Sequence, residues 1–271
     1  AVVGSGPGGL TAAFHLAKAG HQVTVFEAES HAGGMLRHGM PRYRMPKEIL
    51  DRDIMNITAL GVEIRTNAPV TSIAGLKAQG FDAVYIGVGN QKPRIIPIEG
   101  RDLPGSEIQD CMKFLRETNV GDELPDIKGK HMVVLGGGNV ALDVARTAVR
   151  MEAASVSILC LEPREKMPAH GWEVEEADEE GVRICAGGAT KRLYRDDAGQ
   201  TQLEYLQVGK IEFTEDGKLK SFEPAPGTEQ SVPADIVVLA VGLGPSTDAF
   251  KDELELTRGG IIEVDDSTLQ T

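Results

Sequence analysis

The stretch AVVGSGPGGL, residues 1–10, runs an apolar strand straight into a glycine turn, and VVLGGGNVAL, residues 133–142, repeats the arrangement. In the first copy Gly4, Gly6 and Gly9 stand as G-x-G-x-x-G, with Ser5 and Pro7 between them. A strand (Ala1 to Val3) precedes the turn, and a helix follows to about Ala19, closed by Gly20. In the second copy Gly136, Gly138 and Ala141 form G-x-G-x-x-A around Asn139 and Val140. That turn lies between a strand from His131 to Leu135 and a helix from Val140 to Met151. The first glycine allows a tight turn, the second lets backbone N–H groups approach a pyrophosphate, and the third lets helix and strand pack closely. Alanine is still small enough for the third place.

Working outward, each turn gains the rest of a βαβ unit. Gln22 to Glu27 reads as the second strand of the first unit and Ser155 to Leu161 as that of the second. Glu27 follows Gly4 by 23 residues, where a carboxylate can accept ribose hydroxyls and repel a 2′-phosphate. Both FAD and NAD present such a ribose, so Glu27 does not choose between them. Glu162 takes the equivalent place in the second unit and favours NADH over NADPH. Arg164, two residues on, can swing toward a phosphate or pair with a nearby glutamate.

Residues 31–46, HAGGMLRHGMPRYRMP, read as an ordered loop, neither helix nor strand. Gly33 and Gly34 suit a second phosphate contact, with Arg44 ahead of Arg37 and Arg42 as a supporting cation. A helix over Lys47 to Leu60 and a strand over Val62 to Arg65 follow. Phe81 to Val88 reads as a buried strand leading to Gly87 and Gly89, and Asp235 to Val241 as its counterpart leading to Gly242 and Gly244. Between them lie a short helix (Gln109 to Glu117), a polar stretch (Gly121 to Lys130), and an antiparallel meander over 190–234 with turns at DDAG and EDGK. The last residues, to Thr271, read as a returning hairpin.

The fold class expected is α/β: two Rossmann-like units, the second inserted into the first. The domains expected are 1–118, 119–244, and a return segment 245–271.

Composition narrows the partners. A net charge of −13 argues against nucleic acid and anionic membrane. No apolar run of about 18 residues is present, as a membrane span would need. The three cysteines, Cys111, Cys160 and Cys185, make no CxxC pair and no metal or disulfide framework, and suit reduced thiols in a cytoplasmic protein. No metal ligands are expected. No signal peptide is visible, and the chain starts without Met, inside a strand.

Taken in order, GSGPGGL, GGMLRHGMPRYRMPKEILDRDI, LGVEI, GGGNVALDVART and REKMPA before the acidic run resemble the small subunit of glutamate synthase and its relatives. Those relatives include the flavoprotein part of dihydropyrimidine dehydrogenase and the electron-bifurcating transhydrogenase subunits. The resemblance covers the whole chain. It implies FAD at the first turn, a pyridine nucleotide at the second, hydride passing to flavin N5, and an iron–sulfur domain or subunit as electron acceptor. By position it implies FAD contacts from Ser5, Gly6, Gly9, Glu27, Gly34, Leu36, Arg44 and Val70. It implies nucleotide contacts from Gly138, Asn139, Val140, Ala141 and the strand end Ala240, Val241 and Gly242.

Three departures stand out. Leu161 and Glu162 replace two arginines that hold the 2′-phosphate of NADPH in the family, which supports NADH. The family's N-terminal cysteine-rich cluster domain has no counterpart here. The chain also stops just short of the family's second FAD motif, G-x-F-A-x-G-D, and so reads as a piece of a longer protein.

No catalytic acid, base or nucleophile is expected, because the cofactors carry this chemistry. His38 reads as a packed loop histidine, and His170 and Trp172 as core packing or capping. Glu173, within the run EVEEADEE, can approach the nicotinamide side but reads first as part of a solvated helix face. The competing reading is a non-catalytic nucleotide-binding fragment or scaffold subunit. A thioredoxin-reductase-type disulfide reductase is disfavoured for want of a CxxC.

Overall fold

The computed structural model describes every residue except Asp122 and Asp216. The expected EDGK turn and the polar stretch 121–130 each contain one of these two, which lie outside the described residues. The chain forms two compact units: residues 1–92 with 243–271, and residues 93–242. One Rossmann-like unit is therefore inserted into the other.

The first unit follows the order β1 (Val2–Val3), α1 (Pro7–Lys18), β2 (Thr24–Phe26), α2 (Met35–His38), α3 (Lys47–Thr58), β3 (Glu63–Arg65), α4 (Ile73–Ala78) and β4 (Tyr85–Ile86). Its sheet runs β3-β2-β1-β4, with every pair parallel. Helix α1 starts cleanly because Gly6 is extended at the N-cap and Pro7 takes the first helical position. It buries Gly9, Leu10 and Ala13 toward the sheet. Two expectations change here. The buried strand over Phe81 to Val88 shrinks to Tyr85–Ile86 at the sheet edge, with Tyr85 exposed. Phe81, Val84 and Val88 instead pack as side chains against the cluster of Val3, Phe26, Leu76 and Phe250. The loop 31–46 contains the single turn α2, entered through Gly34 at φ +52°.

The second unit opens with β5 (Lys92–Pro93), which spans the crossing between units, then β6 (Glu107–Asp110), α5 (Cys111–Val120), β7 (His131–Leu135), α6 (Asn139–Arg150) and β8 (Ser155–Cys160). It continues through α7 (Gly171–Glu179), β9 (Arg183–Ala186), β10 (Gly188–Arg195), β11 (Thr201–Phe213), β12 (Leu219–Pro224), β13 (Gln230–Pro233) and β14 (Ile236–Leu239). The parallel sheet has the order β6-β14-β7-β8-β9. The meander β10-β11-β12, with β13 on β11, is antiparallel. Leu193, Leu203, Tyr205 and Val232 from the meander share one core with Val133, Leu159 and Val237 of the parallel sheet.

The expected domain limit at residue 118 moves to Lys92. The cause is β6: Glu107–Asp110 pairs in parallel with β14, so it and the helix after it belong to the second sheet. Gln109 and Asp110, expected to be helical, are strand residues. Helix α5 starts at Cys111, two residues later than expected, where the Asp110 carboxylate accepts from the Lys113 N–H at 2.9 Å.

From β15 (Leu243–Gly244) onward the chain belongs to the first unit again. Phe250, 1% exposed, and Leu254 join the cluster around Val3 and Phe26. The Glu253 carboxylate accepts from the N–H groups of Ile73 (3.1 Å) and Ala74 (2.8 Å) at the start of α4. The Ser246 N–H donates to Gly89 O at 3.0 Å. A bridge between Leu256 and Ile262 forms the expected hairpin.

Candidate functional site

In the first unit the glycines divide by what the fold demands of them. Gly4 has φ +96°, and a Cβ there would lie 2.5 Å from Gly87 O, at the end of β4. A Cβ on Gly9 would lie 1.9 Å from Gly4 O. Both positions exclude any side chain. Gly6 is different: its backbone is ordinary (φ −69°, ψ 179°), and a Cβ would meet only Gly34 Cα, at 3.9 Å. The fold leaves room at Gly6 that the sequence does not fill. The first N–H groups of α1 have no partner within the helix, and Pro7 has none to offer. This open, donor-rich cradle at the positive end of a 12-residue helix is what a pyrophosphate needs.

Around that turn the structure brings together Ser5, Glu27, Gly33 and Gly34. Glu27 is buried at the end of β2, and its carboxylate accepts from the Ser5 N–H (3.0 Å), the Ser5 hydroxyl and the Glu29 N–H (2.9 Å). Gly33 N–H donates to both Ser5 O (3.1 Å) and Ser5 Oγ (3.0 Å). A Cβ on Gly34 would stand 2.6 Å from Gly6 Cα, so the loop lies directly on the turn. Gly87 N–H donates to Val3 O at 2.8 Å, and Gly89, at φ +70°, ends the segment.

The Leu36 side chain lines a groove of about 370 Å³ with Pro7, Leu10, Met45 and Leu50. Arg44 is half-buried in a turn closed by its N–H on Pro41 O at 3.1 Å. Val70 packs on the core cluster with Val3 and Phe26, apart from the turn contacts. Arg37 is buried, donates to Ala32 O at 3.0 Å and pairs with Asp51, so it braces the loop.

Sequence reasoning missed Lys47. Its ammonium donates to Leu36 O (3.0 Å) and Met40 O (2.7 Å). Burial, with Arg37 and Arg42 nearby, pulls its pKa down to about 8.

The second unit repeats the plan. Gly136 has φ +128°, and a Cβ there would lie 2.3 Å from Ala240 O, just past β14. Ala240 N–H donates to Leu135 O at 2.8 Å, Val241 packs on the core, and Gly242 has φ +105° with its carbonyl on Arg94 N–H at 3.1 Å. Gly138, the N-cap of α6, has an ordinary backbone (φ −91°, ψ 173°), and nothing lies within 4 Å of a Cβ placed there. Again the middle glycine is the one the fold does not require. Ala141 is fully buried, and Val140 is half-buried behind it.

The segment after β8 is fastened to this turn. Ala169 N–H donates to Gly137 O (3.1 Å) and His170 N–H to Asn139 Oδ1 (3.0 Å). Glu162 is half-buried at the end of β8, and its carbonyl accepts from Gly187 N–H at 2.9 Å. Arg164 is exposed and paired, with Asp178 where a glutamate was expected.

Other candidates fall differently from expectation. Glu173 is 0% exposed, not solvated. The helical period turns it inward with Val174 and Ala177, while Glu176 and Glu180 reach Arg146. Trp172 is 53% exposed instead of packed, its ring parallel to that of His170 at 6.3 Å. His170 is the N-cap residue of α7 without a side-chain cap bond. His38 is buried in α2, with Nε2 3.3 Å from His31 O. The three cysteines are free and buried, and burial together with Glu162 pushes the Cys160 thiol up to about 12. Among the described residues no group of three His, Cys, Asp or Glu side chains could hold a metal ion. No helix of the described residues is long and apolar enough to cross a membrane.

Two glycine cradles on two parallel sheets, one unit inserted in the other, define a dinucleotide-binding oxidoreductase fold. The sequence pattern of the pyridine nucleotide-disulphide oxidoreductase family matches residues 1–271, and the chain belongs to that family.

The chain is 37% identical over 273 residues to the NADP(+)-dependent formate dehydrogenase subunit beta of Moorella thermoacetica, covering 100% of this chain and 38% of that protein. It is 38% identical over 261 residues to the NADPH-Fe(3+) oxidoreductase subunit beta of Geobacter sulfurreducens, covering 94% and 38%. It is 33% identical over 284 residues to a putative glutamate synthase [NADPH] small chain of Cereibacter sphaeroides, covering 100% and 67%. The chain thus spans about two fifths of the first two relatives and two thirds of the third. Among solved structures the fold matches Mycobacterium tuberculosis FprA in complex with NADPH (TM-score 0.75, 19% identity, 94% of this chain and 72% of that one). It also matches T. acidophilum thioredoxin reductase (TM-score 0.68, 20% identity, 98% and 84%).

Proposed function

We propose that this chain is the pyridine-nucleotide and flavin module of an electron-transfer oxidoreductase, with FAD at the first turn and a nicotinamide dinucleotide at the second. The observation that carries the reading is the pair Gly6 and Gly138. Each stands at a helix N-cap where a Cβ would fit the fold and would fill the space a pyrophosphate needs. The residues at both turns fit the two groups. The first N–H groups of α1 and of α6 bind the two pyrophosphates, Glu27 and Glu162 face the ribose ends, and Gly34 and Leu36 complete the flavin side. FAD, when bound, supplies the passage from a hydride to single electrons. The chain contributes binding, orientation and exclusion of water, and needs no acid or base of its own.

The electron acceptor in this reading is an iron–sulfur domain or subunit. The relatives' names as beta subunits and a small chain support a partner, and the sequence resemblance supports its chemistry. Three free buried thiols fit a reducing, cytoplasmic setting. For the dinucleotide we favour NADH. Glu162 would repel a 2′-phosphate, and Arg164 is already engaged by Asp178. The relatives named for NADPH weigh the other way.

An anaerobic visible spectrum of the FAD-supplied chain, before and after each nucleotide, tests this. The reading expects bleaching of the flavin by NADH and much less by NADPH. Equal or stronger bleaching by NADPH overturns the role given to Glu162. Nucleotide binding with no bleaching favours a non-catalytic scaffold.

A further inference from the structure

We infer that Lys47 is a positioning residue for the flavin site: its ammonium ties the carbonyls of Leu36 and Met40 and so holds the loop 33–40 on the first glycine turn in the form that receives FAD. This rests on the assignment of FAD to that turn. The loop needs such a tie. Its helical part, α2, is four residues long, too short to persist on hydrogen bonds of its own. Yet it carries Gly34, which lies against Gly6 so closely that a Cβ would be 2.6 Å from the Gly6 Cα.

Lys47 is the first residue of α3, a 12-residue helix, so it links a marginal turn to a stable element. Leu50, one turn further along α3 and 2% exposed, sits under Gly33, 2.7 Å from where a Cβ would be. The ion pair between Arg37 and Asp51 joins the same two elements a turn away. Lys47 grips the loop's backbone from α3, at 3.0 and 2.7 Å, on both sides of Arg37 and His38. A half-buried ammonium with two carbonyl acceptors is a costly arrangement unless its geometry is used.

The test compares the wild-type chain with K47M and K47R by two readouts, and K47Q replaces K47M if that variant does not fold. The first is hydrogen exchange of the Arg37, His38, Gly39 and Met40 amides without flavin, which the structure bonds to Gly34 O and Met35 O. The second is the dissociation constant for FAD. The inference expects faster exchange in K47M and FAD binding weakened about tenfold, with K47R restoring most of both. Wild-type FAD affinity in K47M, or no rescue by K47R, overturns it. If the exchange responds as expected but FAD binds to neither wild type nor variants, the assignment of FAD to this turn fails and takes the inference with it.

Discussion

At the scale of single residues, the two fingerprints differ in their third position, and the structure gives the reason at the first. A Cβ on Gly9 would sit 1.9 Å from the Gly4 carbonyl oxygen, whereas Ala141 is accommodated, fully buried, in the second turn. G9A should therefore destabilise the first unit by about 3 kcal/mol, read as a lowered midpoint in denaturant unfolding. An unchanged midpoint would show that the α1–β1 packing is looser than described. This much was legible in sequence, because a backbone that tolerates no side chain writes itself as glycine. Lys47 was not legible. A lysine after a proline at a helix start reads as surface charge, and only the folded loop brings two carbonyls to it. Glu173 was misread for a related reason. Six acids in the run of eight at 173–180 suggest solvent, but the period of α7 sends the first of them inward.

At the scale of elements, α6 and α7 are joined by charges rather than by apolar contact alone. Arg146, 7% exposed, pairs with Glu176 at 2.5 Å and Glu180 at 2.6 Å, and Arg150 also pairs with Glu180. Burial pushes the Glu180 carboxyl upward, but the hydrogen bonds from Arg150 and Arg146 outweigh it and hold the group below the usual carboxylate range. The sign follows. A depressed carboxylate contributes stability that is present above its unfolded pKa, about 4.3, and is lost as pH falls through the lower folded value. R146M should cost about 2 kcal/mol near neutral pH. The difference from wild type should shrink once Glu180 is protonated in both, measured as unfolding midpoints across an acid series. A cost that persists undiminished at low pH would assign Arg146 a packing role instead. Strand β6 belongs to this scale too. Glu107–Asp110 lies amid polar residues with no strand alternation, and only its pairing with β14 reveals it. The central strands, β14 and the β7 run Met132 to Leu135, are apolar and announced themselves.

At the scale of the whole molecule, the insertion of one unit into the other was readable from the restart of the fingerprint, while the exact joint was not. The first unit depends on its distant return segment. Phe250, 1% exposed, completes the cluster around Val3, Phe26 and Leu76. F250A should cost about 3–4 kcal/mol in the first unit. A fragment of residues 93–242, continuous in sequence and compact, should fold alone, seen as a cooperative melt and dispersed amide resonances. A fragment that stays unfolded would mean that the division into units is not one of independent stability.

The central claim is that two turns hold two different nucleotides, and the middle glycines test it most directly. G6A and G138A introduce a methyl group where the fold has room, so both variants should melt with the wild type. Titration of each with FAD and with NADH should show G6A losing FAD and keeping NADH, and G138A the reverse. Retention of both nucleotides by both variants, or loss of both by either one while it remains folded, would contradict the account.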